Sequence, residues 1–235
     1  MGRKKQTEKD FLKGMVWFQA VSVRAGNATA YALEKRFDPL LFSHRDGKLT
    51  RSKKWDKYRD GKRLPSDLSE DDVIARIETV LPGTAKWFRS PMWAALDGSF
   101  ADRYVIDALL KSLDDVTHLL FGSRVWNGVI QVYRLPANEA LFDDLIKIAS
   151  LDTLAAILVM AREAEVIASP QLRENALQAY LEFQPVIRSM PEFQGLAEKL
   201  FWHIDTTIKH WCMIEPNKRL DIVIFSNNLP LSNPD

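Results

Sequence analysis

The sequence predicts a mainly α-helical fold. Glycines are few, at 10 in 235 residues, and the alternating apolar and polar runs that are typical of strands are scarce. Apolar residues instead recur three and four positions apart, which is the spacing of helices with one buried face. The composition, 46% hydrophobic and 27% charged, is ordinary for a soluble globular protein, and the length suits one large or two small domains. We therefore expect helices to dominate the fold.

Charge divides the chain into two parts. Residues 1–63 hold 17 lysines and arginines against 7 acidic residues, whereas the remainder holds 15 against 24, although the whole chain is formally only +1. A split of this kind indicates a basic binding module attached to a neutral or acidic body. The aromatic-rich segment 87–93 is interpreted as the seam, so the predicted domains are residues 1–95 and 96–235. The alternative is that the charged segment 44–63 is a solvated loop.

Four helices are predicted in the first domain. They cover residues 10–25, 29–37, 50–59 and 70–81. Gly26-Asn27 and Asp38-Pro39 are stop signals for the first two helices, and an irregular link is expected over 40–49. Gly61 is a candidate for the left-handed residue that ends the third helix, and Ser69 is a candidate cap for the fourth.

Amphipathic segments predict a helical bundle in the second domain. They cover residues 102–113, 137–149, 151–168, 171–183 and 191–213. Ser150 and Ser169 are candidate caps. The segment 122–135 fits either a short strand or a helix. The most apolar run, 154–161, is much shorter than the roughly 20 residues of a membrane span, so we expect a buried helix there.

Residues 50–66 are the most informative stretch of the chain. Trp55 and Tyr58 lie three positions apart, so both fall on one face of the predicted helix. Basic residues are dense in the same stretch, and they are Arg51, Lys53, Lys54, Lys57, Arg59, Lys62 and Arg63, with Lys48 just before it. A helix with an aromatic face in a core and a cationic face in water suits docking against a phosphate backbone.

Residues 28–83 resemble a helix-turn-helix domain of the phage repressor (Cro/C1, XRE) type. The resemblance rests mainly on residues 55–66, which are similar to the family pattern Trp-x-x-Tyr/Glu-x-Gly-x-x-x-Pro-Ser at the end of the recognition helix and the following turn, with one additional residue between Tyr58 and Gly61. Ala30–Phe37 would then be the first helix of the motif, and Val73–Leu81 the supporting helix. The family usually has a tight turn between the two motif helices, whereas this chain has thirteen residues, 38–50.

The resemblance implies a nucleic-acid site of eight residues. It places Arg51, Ser52, Lys53 and Lys54 nearest the major groove, where lysine and arginine favour guanine. It places Lys57, Lys62 and Arg63 on phosphates, and Arg59 completes the set. Trp55 and Tyr58 are expected in the helical core rather than in base stacking.

Other clusters of reactive side chains are explained more simply as structural. His203 and His210 share a helical face, and Cys212 follows, but no further ligand completes a metal site. The paired carboxylates Asp114-Asp115 and Asp143-Asp144 are typical of helix surfaces. No phosphate-binding glycine loop or nucleophile motif is present. We therefore predict no enzyme activity, no cofactor and no metal.

These observations predict a DNA-binding protein whose basic helix-turn-helix-like domain precedes a helical bundle for oligomerisation or effector binding. Its role would be regulation of transcription in a bacterial mobile-element or phage-related system. Duplex DNA is the expected partner, with a homodimer or a protein partner left open. A single cysteine and the lack of a signal peptide favour a cytoplasmic location without membrane attachment. The alternative is a non-enzymatic helical interaction protein, or a subunit of a larger nucleic-acid-binding or defence assembly.

Overall fold

A computed structural model describes residues 6–45, 48–67, 72–97, 102–208, 213–215 and 218–219, and it is mainly helical. The chain divides into two compact units. Unit 1 comprises Met1–Arg89 and Arg188–Leu200, and unit 2 comprises Ser90–Ile187 and Phe201–Asp235. Within the described ranges, no helix is long and apolar enough to cross a bilayer.

The division falls inside the aromatic-rich segment 87–93 rather than at 95/96. It also assigns Arg188–Leu200 to unit 1, although the sequence placed this stretch in the second domain. The physical reason is a 3-10 turn, Pro191–Phe193, that packs on the first helix of unit 1. Within unit 1, the rings of Trp87 and Phe193 meet edge to face at 5.4 Å.

Unit 1 contains five helices and one hairpin in its described part. In chain order they are α1 (Glu8–Arg24), α2 (Ala30–Phe37), β1 (Phe42–Arg45), β2 (Lys48–Arg51), α3 (Lys54–Arg59), α4 (Val73–Glu78) and α5 (Ala85–Arg89), with a 3-10 turn at Pro39–Leu41 after α2. A capping box between Thr7 and Asp10 begins α1, and the Thr29 side chain caps α2. Gly26 and Asn27 have φ of 77° and 61°, as their role as a stop signal requires. The first two predicted helices are therefore confirmed to within about two residues at each end.

Aromatic side chains form the core of unit 1. Trp55 of α3 stacks on Trp17 of α1 at 5.8 Å and on Phe37 of α2 at 5.7 Å between ring centroids. Tyr58 meets both tryptophans edge to face. Trp55 and Tyr58 are fully buried, which confirms the prediction that both face the core.

The predicted helix over 50–59 is only partly correct, because α3 begins at Lys54. Thr50 and Arg51 lie in β2, which pairs antiparallel with β1 across the stretch expected to be irregular. Lys53 has a φ of 56°, a left-handed conformation that stops the helix from extending toward the N-terminus. At the other end, Gly61 is left-handed with a φ of 65°, as predicted.

The predicted helix over 70–81 is shorter in the structure, because α4 covers Val73–Glu78. The proposed cap, Ser69, lies outside the described residues. Asp72 caps α4 instead, and its side chain accepts a 2.9 Å hydrogen bond from the Ala75 N–H. An aspartate directly before the helix satisfies a backbone donor that would otherwise lack a partner.

Unit 2 is built mainly from helices. In chain order they and the strands are α6 (Pro91–Ala95), α7 (Arg103–Lys111), α8 (Thr117–Leu120), β3 (Phe121–Trp126), β4 (Val129–Arg134), α9 (Glu139–Ile148), α10 (Leu151–Val166), α11 (Pro170–Ser189), α12 (Ala197–Thr207), β5 (Met213–Glu215) and β6 (Lys218–Arg219). The last residues of α11 and the first residues of α12 belong to unit 1.

Helix α10 is the centre of unit 2. Every residue from Leu151 to Ala164 is buried, so the prediction of a buried helix here is confirmed. Ser150 begins α10 with a capping box, also as predicted. The guanidinium of Arg162 donates to the Ala95 carbonyl at 2.8 Å and ties α10 to α6.

Two segments of unit 2 depart from the expected helices. Segment 122–135, which fitted either element, is the β3–β4 hairpin, whose turn residues Asn127 and Gly128 have φ of 50° and 77°. The predicted helix over 191–213 is interrupted, since Gly195 has a φ of 71° between the 3-10 turn and α12. Helix α11 extends beyond the predicted 171–183, through Pro185, to Ser189.

Candidate nucleic-acid interface

A buried glutamate lies beneath the start of α3. Glu34 is on α2 and its side chain has no solvent exposure. Its Oε1 accepts hydrogen bonds from the Ser52 hydroxyl at 2.5 Å and from the Lys54 N–H at 3.1 Å. Its Oε2 accepts from Nη1 of Arg51 at 2.7 Å. One carboxylate therefore connects the end of β2 to the first turn of α3. It also accepts a hydrogen bond at the N-terminus of α3, where the cap residue Lys53 makes no side-chain hydrogen bond.

A second acid, Asp38, directly follows α2 and contacts Trp55, Lys54 and Arg76. Its Oδ2 accepts from the Trp55 indole N–H at 2.7 Å and lies 3.5 Å from Nζ of Lys54. Its Oδ1 accepts from Nη2 of Arg76 at 3.0 Å, and Nη1 of the same arginine donates to the Phe37 carbonyl at 2.5 Å. Asp38 thus fixes Trp55 in the core and neutralises Lys54 and Arg76.

Arg51 is a structural connection and does not reach outward as a base contact. Its guanidinium forms ion pairs of 2.7 Å with both Glu34 and Asp56, and it lies 5.3 Å above the Tyr31 ring. Burial alone would lower the pKa of Arg51, but the ion pairs with Asp56 and Glu34 outweigh it and raise that pKa above its usual value. The sequence placed Arg51 in the recognition helix, whereas it ends β2.

Four exposed cations lie on α3 and on the residues directly before and after it, and we call them the basic face. They are Lys53, Lys57, Lys62 and Arg63, all of them exposed. Backbone hydrogen bonds keep them together. The Lys57 N–H donates to the Lys53 carbonyl at 3.1 Å, and the N–H groups of Lys62 and Arg63 donate to the Lys57 carbonyl at 2.8 and 3.2 Å.

The basic face is largely free of neutralising acids. Lys53, Lys57 and Arg63 form no ion pair with any residue that the structure describes, and Lys62 has one weak contact, 3.6 Å from Asp60. Because the side chain of Lys62 is 72% exposed, that contact leaves its charge available. The basic face is therefore the part of the predicted site that presents charge to a partner.

Arg59 is intermediate between the acid-bound cations Arg51 and Lys54 and the exposed cations of the basic face. Its side chain is about half exposed and pairs with Asp60 at 2.9 Å and with Asp56 at 3.4 Å. The hydrogen bond from Arg59 lowers the pKa of Asp60 below its usual value. Two carboxylates thus reduce the charge that Arg59 offers to a ligand.

The structure separates the eight predicted site residues by role. Arg51 pairs with the buried Glu34, Lys54 pairs with the partly buried Asp38, and the Ser52 hydroxyl donates to Glu34. Of the residues assigned to the major groove, only Ser52 and Lys53 have exposed side chains. The acids were missed from the sequence, yet Glu34 lies between Leu33 and Phe37 on the predicted apolar stripe of α2, which was a signal of its burial.

The connection between α2 and α3 is not a tight turn. Sixteen residues, 38–53, separate the two helices and include the β1–β2 hairpin. Helix α3 has only six residues, and Glu34 accepts a hydrogen bond from its first N–H. This geometry departs from that of the recognition helix that the resemblance implies.

The other candidate residues form no site in the described part of the chain. No group of three histidine, cysteine, aspartate or glutamate side chains is placed to hold a metal ion there, and His210 and Cys212 lie outside it. The Asp144 carboxylate pairs with Lys147 at 2.7 Å, and the Asp115 N–H donates to Asp152 at 3.1 Å. These contacts are those of ordinary helix surfaces and helix ends.

No family model, curated protein or solved structure matches this chain. The case for a function therefore rests on the contacts and charges described above.

Proposed function

We propose that this chain is a DNA-binding protein in which the basic face of unit 1 docks against the phosphate backbone of a duplex. The supporting observation is that four exposed cations lie close together along the chain without a strong acidic partner. The acids nearby, Glu34 and Asp38, are paired with Arg51 and Lys54 instead. The resemblance to phage repressors extends the proposal to regulation of transcription in a mobile-element or phage-related system. Binding, rather than catalysis, is the proposed activity.

The number of cations sets the expected strength and salt dependence. Four phosphate contacts correspond to a slope of about −3.6 in log K against log salt concentration, which is roughly a 100-fold loss of affinity between 50 and 200 mM salt. Phosphate contacts orient a protein but carry no sequence information. The basic face alone is therefore expected to bind duplexes of different sequence with similar affinity.

The direct test is fluorescence anisotropy with a labelled random duplex across a salt series. Lys57→Glu should reduce affinity at 50 mM salt by at least about tenfold and flatten the slope by about 1, because one phosphate contact becomes a repulsive charge. Lys199→Glu is the matched control, since Lys199 is an exposed lysine of unit 1 on α12. Equal affinities for the two variants, or a wild-type slope near zero, would overturn the proposal.

One observation favours the alternative of a helical interaction protein. A groove of about 300 Å³ between α9 and α11 has an apolar floor that includes Phe142 and Ile146. Four carboxylates line it, from Glu139, Asp143, Glu174 and Glu182. A basic amphipathic peptide would complement this groove, and the alternative gains support if DNA binding is absent while such a peptide binds.

A further inference from the structure

Helix α2 places an exposed lysine, Lys35, beside the start of α3. Leu33 is buried in the core of unit 1, and the next residue, Glu34, accepts hydrogen bonds from the Ser52 hydroxyl and the Lys54 N–H. Successive residues of a helix are rotated by about 100° around its axis, so Lys35 follows Glu34 on the side away from Leu33. The glutamate that contacts α3 therefore lies between the core and Lys35.

The contacts of Tyr31 show what borders Lys35. Tyr31 precedes Lys35 by four residues on α2, so the two side chains are neighbours on the helix surface. The Tyr31 ring meets Phe42 of β1 edge to face at 5.6 Å, and the Arg51 guanidinium at the end of β2 lies 5.3 Å from the ring centroid. Lys35 therefore borders the connection between β2 and α3, where Lys53 is exposed.

The charge of Lys35 is not neutralised within the described part of the chain. Its side chain is exposed, and it forms no ion pair with any residue that the structure describes. The acids on either side of it along the chain, Glu34 and Asp38, are already paired with Arg51 and Lys54. An exposed ammonium group without a carboxylate partner is well suited to a phosphate.

Lys35 and Lys53 flank a single hydrogen bond between α2 and α3. Oε1 of Glu34 accepts from the Lys54 N–H at 3.1 Å, and each lysine is the chain neighbour of one member of that pair. Neighbouring Cα atoms are about 3.8 Å apart, and a lysine has a flexible four-carbon side chain. Both ammonium groups can therefore reach one stretch of nucleic-acid backbone, which carries a phosphate about every 3.4 Å along each strand.

We propose that Lys35 is a further phosphate contact, so that the backbone of a bound duplex crosses from α2 to α3. This inference rests on the proposed function, and it adds a helix that the basic face does not include. Five phosphate contacts instead of four should steepen the slope of log K against log salt concentration from about −3.6 to about −4.5.

The test is fluorescence anisotropy of the full chain with a labelled random duplex across a salt series. Lys35→Gln should weaken binding roughly tenfold at 50 mM salt and flatten the slope by about 1, because one phosphate contact is lost. Arg36→Gln is the matched control, since it removes the same charge from an exposed neighbour that the helix turns further away from α3. The control should change affinity by less than about threefold, and equal effects of the two substitutions would overturn the inference.

The same titrations separate this inference from the proposed function. If the wild-type chain does not bind the duplex, both are overturned. If Lys57→Glu weakens binding and Lys35→Gln does not, only the contact at Lys35 is overturned. Thermal melting of the Lys35→Gln and Arg36→Gln chains should match wild type, because exposed side chains contribute little to stability.

A second measurement reports proximity to DNA and does not depend on the lost charge. Cys212 is the only cysteine in the chain, so Cys212→Ser provides a background for Lys35→Cys and, as control, Arg36→Cys. With a photoactivatable aryl azide on the new thiol, the Lys35→Cys chain should cross-link to the duplex several times more efficiently than the control. Equal cross-linking of the two chains would overturn the inference.

Discussion

Nη1 of Arg51 lies 2.7 Å from Oε2 of Glu34, and that carboxylate has no solvent exposure. The pair shows that some basic residues of this segment form internal ion pairs while others remain exposed. Arg51 and Lys54 pair with Glu34 and Asp38 and connect β2, α2 and α3, whereas Lys53 and Lys57 are exposed. The unpaired charge near α3 is therefore smaller than the sequence count suggests.

Glu34→Gln is expected to destabilise unit 1 by roughly 2–4 kcal/mol. The amide has the shape of the carboxylate but cannot compensate the Arg51 guanidinium, which keeps only one of its two counter-charges, Asp56. It also places an NH₂ donor against the donors of Ser52 or Lys54. Urea denaturation monitored by tryptophan fluorescence measures the change, and Asp60→Asn is the control because its surface pair should contribute less than about 1 kcal/mol. Similar decreases in the free energy of unfolding for both variants would show that Glu34 contributes no more to stability than a surface ion pair.

Lys53 and Lys54 are adjacent in sequence but are expected to respond differently to charge reversal. From the sequence alone, both are surface lysines whose joint replacement by glutamate should spare the fold. The structure corrects this, because Lys54 is buried and its Nζ lies 3.5 Å from Asp38.

Lys54→Glu should therefore cost roughly 3–5 kcal/mol in the free energy of unfolding, since it breaks a mostly buried pair and sets two carboxylates together. Lys53→Glu should change stability by less than about 0.5 kcal/mol and should instead weaken binding to duplex DNA. Parallel thermal melts and anisotropy titrations distinguish the two. A stable Lys54→Glu variant would contradict the ion-pair network described here.

Local spacing predicted the mainly helical fold, the first two helices and the burial of Trp55 and Tyr58 correctly. Helical periodicity is a property of neighbouring residues, so it can be recognised without knowledge of the tertiary structure. The β1–β2 hairpin could not be recognised in this way. Its strands have four residues each, too few for a clear alternation, and it is held by contacts from elsewhere, such as the edge-to-face contact of Tyr31 with Phe42 at 5.6 Å.

The sequence shows where the basic residues are dense, but not which of them are paired with acids. The density is a property of the segment around α3, whereas the separation into acid-bound and exposed cations depends on where Glu34 and Asp38 point. Glu34 lies on α2 and Asp38 directly follows it, and both are sixteen or more residues from the cations that they bind, so no local pattern pairs them. Long-range ion pairs are set by the packing of helices against each other, and that information is absent from a single sequence.

Trp55→Ala should destabilise unit 1 by roughly 3–5 kcal/mol, the usual cost of removing a large buried aromatic side chain. The loss includes two stacked ring contacts and the hydrogen bond from the indole N–H to Asp38. Trp126→Ala is the matched control, because Trp126 at the tip of the β3–β4 hairpin is 62% exposed and should cost less than about 1 kcal/mol. Denaturant midpoints measured at low micromolar concentration test this ranking, and a reversed order would contradict the assignment of Trp55 to the core.

Asp205→Asn is expected to stabilise unit 2 at neutral pH. Burial raises the pKa of Asp205 to about 6, and the hydrogen bond from the Tyr180 hydroxyl, at 3.2 Å, only partly opposes it. Because this pKa is higher in the folded chain than in the unfolded chain, the folded state holds the proton more tightly. The contribution of Asp205 to stability is then fully present below about pH 4 and is lost as the pH rises through about 6.

Asparagine keeps an acceptor for Tyr180 and removes the buried charge. The variant should therefore exceed wild type by roughly 1–3 kcal/mol at pH 8 and match it at pH 3.5. Urea denaturation at several pH values measures the difference, and Asp144→Asn is the control because Asp144 is exposed on α9. A difference between Asp205→Asn and wild type that stays constant from pH 3.5 to 8 would show that Asp205 titrates alike in the folded and unfolded chains.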